Sequence, residues 1–90
     1  MPYTSPNHGG MYAKITDYPH VVVIKMHGWD QKDRWKFRHR FDQWRECEDA
    51  ERTRGLYMTR TLAYTAHEIV EMEYRFTDAN AAFDFKLRFA

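Results

Sequence analysis

Residues 30–52 read DQKDRWKFRHRFDQWRECEDAER. Placing them about 100° apart puts Phe37, Phe41 and Trp44 on one narrow stripe, with Cys47 at its margin. This is the spacing of a helix face turned to a core. Asp30 can cap the first turn through its side-chain oxygen, Asp33 adds a carboxylate near the free N–H groups, and Gly55 stands just past the expected end. Residues 20–27 (HVVVIKMH) alternate as a strand, with Val22, Ile24 and Met26 on one face and Val21, Val23, Lys25 and His27 on the other. Both faces are apolar at the start, as in a central strand. A second strand is expected over 56–64 and a third over 67–76, the two forming an antiparallel hairpin around 65–67. Val70, Met72, Tyr74 and Phe76 should be covered, and the face bearing Ile69, Glu71, Glu73 and Arg75 mostly wet.

Residues 78–90 (DANAAFDFKLRFA) fit two periods. Asp78 as N-cap and the following alanines favour a helix, with Ala79, Phe83 and Leu87 on one stripe and Phe85 and Phe89 on another side. Strand alternation of Phe83, Phe85, Leu87 and Phe89 is the competing pattern. The order is then β-α-β-β-α. It predicts an α+β domain with a small antiparallel sheet, one long helix and a short C-terminal helix on one face. A ferredoxin-like arrangement would follow if the last segment were a strand. Residues 1–19 hold all three prolines, Ser5-Pro6-Asn7 and Gly9-Gly10. They read as an extended arm, with a short edge strand conceivable over 11–15, leaving 20–90 as the single domain. Tyr3, Tyr12 and Tyr18 suggest that the arm lies on something.

Arg75-Phe76-Thr77-Asp78 followed by Ala82-Phe83-Asp84-Phe85-Lys86-Leu87-Arg88-Phe89 resembles the ends of small uncharacterised bacteriophage proteins. The resemblance covers about fifteen of the ninety residues and carries no catalytic residue. It implies a viral origin, under which a small domain that binds and redirects a host protein is expected.

Composition narrows the function classes. Fifteen aromatics in 90 residues, 17% of the chain, exceed what a small core needs and leave some for an interface. Charged residues make up 30%, but the net charge is +1, which argues against binding nucleic acid by bulk charge. One cysteine forms no intramolecular disulfide, and no run approaches the roughly 20 apolar residues of a membrane span. The expected setting is the cytoplasm, that of the host if the chain is viral.

No spacing of residues signals catalysis. No phosphate-cradling glycine loop, paired-cysteine motif or nucleophile elbow occurs. Cys47 borders the core stripe and precedes two carboxylates, so it is expected to be a small core residue rather than a nucleophile. A metal site is not expected: His20 and His27 point to opposite strand faces, and a composite of His27, His67 and a carboxylate is the one arrangement conceivable. No cofactor is implied.

What remains is the long helix. Trp35 lies nearly opposite the core stripe, flanked by Arg34 and Arg38 on one side and by Lys32 and His39 on the other. A solvated charged face and a contact surface both fit, and Trp and Arg are the residues most enriched at binding hot spots. Basic residues from Lys32 to Arg40 precede acidic ones from Glu46 to Glu51, a split suited to antiparallel pairing with a second copy. The leading expectation is a non-enzymatic protein-interaction domain, homo-oligomeric, binding through Trp35, Arg34, Arg38, His39 and Arg45. The alternative is nucleic-acid binding through the basic half, where Arg34, Arg38 and Arg45 share one side.

Overall fold

The long helix begins where Asp30 can close it: Asp33 N–H donates to Asp30 Oδ1 (2.8 Å) and Asp30 N–H to Asp33 Oδ2 (3.2 Å), a reciprocal capping box. This computed structural model describes residues 14–90 and, before them, the backbone of Pro2–Thr4. The elements are β1 (Pro2–Thr4), a 3-10 turn (Ile15–Asp17), β2 (His20–Lys25), α1 (Gln31–Arg45), α2 (Ala50–Thr53), β3 (Tyr57–Tyr64), β4 (Ile69–Phe76) and α3 (Ala79–Phe89). Ile15 therefore lies in the turn rather than in a strand. Lys14 is extended but belongs to no strand; residues 11–13, Tyr12 among them, and the turn signals of residues 5–10 lie outside the described residues.

The antiparallel sheet runs β3-β4-β2, and β1 adds to the far edge of β3. Strands β2 and β3 are parallel to each other with β4 between them, a split β-α-β unit. The C-terminal segment is the helix, capped by Asp78 through its bond from Ala81 N–H (2.8 Å). Helices α1 and α3 lie on one face of the sheet. Their core joins Val22, Ile24 and Met26 of the β2 segment to Phe37, Phe41 and Trp44 of α1, Tyr74 and Phe76 of β4, and Ala81, Ala82 and Phe85 of α3. Phe85 is fully buried, with six aromatic rings within 6.5 Å between centroids.

Three expectations are corrected and one open point, the third below, is decided. First, the helix expected over 30–52 ends at Arg45, and a separate turn of helix follows. Continuing it would place Glu48, four residues after Trp44, in the middle of the apolar stripe and gather carboxylates at the negative end of the helix dipole. Cys47 therefore lies beyond the helix and is exposed rather than a core residue. Second, β2 is an edge strand, its place at the centre taken by β4; Val21 and Val23 are exposed at 42% and 36%. Third, α3 turns Ala81, Ala82 and Phe85 inward and leaves Phe83 and Leu87 in solvent. Fourth, the outer sheet face is not mostly wet, since Met58 and Glu73 are buried on it. Glu73 is held there by Arg75 Nε (2.6 Å) and Arg60 Nη2 (3.1 Å).

Local chemistry fixes the connections. The β3-β4 turn lacks an Asn-Gly pair, but Thr65 Oγ1 accepts from the N–H groups of His67 (3.3 Å) and Glu68 (3.2 Å). Gly55 has φ +66, and a Cβ there would collide with Thr77 Oγ1, whose hydroxyl oxygen accepts from Leu56 N–H at 2.9 Å.

Candidate functional site

Helix α1 divides its side chains among three surroundings. Its stripe is buried, one flank is locked onto neighbouring backbone, and its outer face is free. Trp35 is 66% exposed and lies flat on His39, with ring centroids 5.3 Å apart and planes 3° apart. The two are one turn apart, so the stack comes directly from i, i+4 helix spacing. Lys32, Lys36 and Arg38 are also exposed on α1, and among the described residues none of the three is in an ion pair. The sequence-predicted Trp35, Arg38 and His39 thus form one exposed surface.

Arg34 and Arg45 do not join it. Arg34 Nη1 donates to Ile69 O (2.5 Å), Nη2 lies 3.4 Å from Met26 O, and Glu68 lies 3.3 Å away, tying the start of α1 to β4 and to the end of β2. Arg45 is buried: its Nη2 donates to Gly55 O (2.9 Å), and its guanidinium carbon lies 4.8 Å from the Tyr57 ring centroid. Burial lowers its pKa from the ordinary arginine value. Both arginines sit beside Phe41 on the helical wheel, so they flank the core stripe and are drawn into the packing.

Beneath α1 an open cleft of about 640 Å³ runs along the inner face of β3 and β4. Phe37, Phe41, Tyr57, Thr59, Thr61 and Tyr74 supply much of its surface, with Arg38 and Asp42 also lining it. Burial pushes the Tyr74 phenol above its ordinary value, as do nearby Tyr57 and Asp42; like any tyrosine it is protonated at physiological pH and can donate a hydrogen bond. The cleft exists because α3 covers β2 and β4 while the small threonines of β3 leave space under α1. It can receive an apolar group with hydrogen-bonding capacity at its edge. Arg38 belongs both to this lining and to the exposed face of α1. The sequence reading found Arg38 but missed the cleft, whose one signal was the run of small polar residues facing the helix from β3.

His27 Nε2 is 3.4 Å from Glu71 Oε2, and among the described residues no three His, Cys, Asp or Glu side chains converge to hold a metal. The composite of His27, His67 and a carboxylate is therefore not assembled. No helix among the described residues is long and apolar enough to cross a membrane. Compared with known proteins, the chain matches no family model, and no curated sequence or solved structure shows significant similarity to it.

Proposed function

We propose that the chain is a non-catalytic protein-interaction domain that works as a homo-oligomer and, given the viral resemblance of its C-terminal stretch, acts in the host cytoplasm by binding a host protein. The observation that carries this reading is Arg38, which belongs both to the face of Trp35 and His39 and to the apolar cleft under α1. A flat aromatic stack, an exposed cation and a neighbouring apolar cleft suit a peptide segment with a carboxylate for Arg38 and an apolar side chain for the cleft. Self-pairing through a charge-split helix has lost its basis, because Glu46, Glu48, Asp49 and Glu51 lie outside α1.

A double variant, Trp35→Ala with Arg38→Ala, tests the reading. Proteins captured from host extract by the parent chain are purified and titrated into both forms by calorimetry. Loss of at least ~2 kcal/mol of binding, the scale of a hot-spot residue, is the expected result. Equal affinity for both forms would overturn it.

Exposed Lys32 and Arg38 on either side of Trp35 favour a second reading, nucleic-acid binding along α1. Of the three arginines on which it first rested, Arg34 and Arg45 are engaged with backbone carbonyls. Anisotropy titrations with labelled DNA and RNA decide it: binding that persists at physiological salt and weakens steeply as salt rises would replace the protein-binding reading.

A further inference from the structure

We infer that a second copy of this chain adds to the sheet along β2, so that two domains share one continuous antiparallel sheet about a two-fold axis. The inference rests on the homo-oligomeric part of the proposed function and supplies its surface.

Strand β2 ends the sheet, and among the described residues nothing pairs with its other side. Met26 N–H donates to Val70 O (2.7 Å), so the even-numbered residues turn their backbone groups toward β4. By the alternation of a strand, Val21, Val23 and Lys25 turn theirs to the open edge. Such an edge templates pairing unless charges, prolines or bulges blunt it. Here Pro19 and Lys25 stand only at its ends, and the four residues between His20 and Lys25 are Val, Val, Val and Ile.

The register that matches this strand to itself is specific. With Val22 of each copy facing the other across the axis, Val21 lies opposite Val23 of the second copy. Those two pairs exchange N–H···O bonds at the narrow spacing, and Val22 forms the wide pair between them. All four exposed valines then meet on the outer face. Lys25 falls opposite Pro19 of the second copy, and His20 opposite Ile24, so no like charges are opposed.

Helix α3 provides the second layer. It packs across β2 and β4, and Asp84 on its inner flank accepts from Trp44 Nε1 of α1 (2.7 Å). Helix α1 lies toward β3, where Phe41 meets Tyr57 at 5.2 Å. Phe83 therefore lies on the flank turned away from α1, on the side of the open edge, with Leu87 one turn on. They are exposed at 63% and 71%. A specific interface buries at least about 1,000 Å² in total, and this ridge on both copies widens the strand edge toward that size. A reversible, concentration-dependent dimer is the corresponding expectation.

Sedimentation equilibrium over a wide concentration range tests this, on the full chain and on three variants. Val23→Pro removes one outward N–H without touching the bonds to β4. Phe83→Asp places a charge on the ridge at an exposed site, and Trp35→Ala alters α1 alone. The expected result is a dimer for the parent and Trp35→Ala, and at least tenfold weaker association for Val23→Pro and Phe83→Asp, with unchanged circular dichroism. Should Val23→Pro fail to fold, Phe83→Asp decides. Parent-like dimerisation of Phe83→Asp, or dissociation by Trp35→Ala alone, would overturn the edge while leaving self-association standing. A parent chain monomeric at every concentration would remove self-association and this surface together, leaving a host partner at α1 to the calorimetric test.

Discussion

Replacing Phe85 by alanine tests how the core is assembled. The ring is fully buried and meets Tyr74 and Phe89 at 4.9 Å, Phe76 at 5.1 Å, Phe41 at 5.6 Å and Trp44 at 5.7 Å. Phe→Ala in a core costs about 3–5 kcal/mol through lost transfer energy and the cavity left behind. Surrounding rings from α1, β4 and α3 cannot all collapse inward at once, which places the loss near the upper end, at about 4–5 kcal/mol. A domain of this size has roughly 5–13 kcal/mol in total, so the variant should lie near its unfolding threshold. Phe83→Ala, two residues away but exposed, should stay within about 0.5 kcal/mol in dilute solution. Urea unfolding followed by far-ultraviolet circular dichroism gives both values. A cost below about 2 kcal/mol for Phe85→Ala, or one equalled by Phe83→Ala, would refute the assignment of the inward face of α3.

Other expectations follow from single contacts. Gly55→Ala should lose at least about 1 kcal/mol in the same assay, because the left-handed backbone and the collision with Thr77 add to each other; an unchanged midpoint would contradict this. Burial alone would push the Asp84 carboxyl up, but hydrogen bonds from Trp44 and Arg88 outweigh it and hold the group below the usual carboxylate range. A depressed folded value stabilises above the unfolded pKa of about 3.9, and the gain is lost as pH falls through the folded value. Asp84→Asn should therefore cost most at neutral pH, with its difference from the parent narrowing below about pH 4 in urea titrations. A pH-independent difference would show that the carboxylate is not the stabilising group.

Much of the fold was legible because periodicity is a backbone property. Phe37, Phe41 and Trp44 marked the buried stripe, Val22, Ile24 and Met26 marked the strand face beneath it, and Asp30 and Asp78 marked the helix starts. What failed were inferences needing the third dimension. The pattern Val-Val-Val-Ile looks the same in a central strand and in an edge strand whose second side awaits a partner. Glu48 falls on the apolar stripe and so stops the long helix, a signal that lies in its position rather than in the charge of the acidic run. Alanines decided α3: Ala81 and Ala82 let the helix approach the sheet closely enough to seat Phe85, so the bulkier Phe83–Leu87 stripe faces out.

The candidate site was only partly legible. Trp35, Arg38 and His39 were readable from the wheel because the outer face of a helix needs no partner to define it. Arg34 and Arg45 were grouped with Arg38 by angle, yet both lie beside Phe41, where a long side chain reaches neighbouring carbonyls instead of solvent. The cleft depends on the separation between α1 and β3, and Glu73 depends on cross-strand register with Arg60. Neither quantity is local in sequence.

Self-association along β2 is tested most directly by residue-resolved amide hydrogen exchange in dilute and concentrated samples. The amides of Val22, Ile24 and Met26 face β4 and should be protected in both. Those of Val21, Val23 and Lys25 should exchange quickly when dilute and become protected as concentration rises, together with shifts in the resonances of Phe83 and Leu87. Fast exchange of the three odd-numbered amides at every concentration would contradict the account.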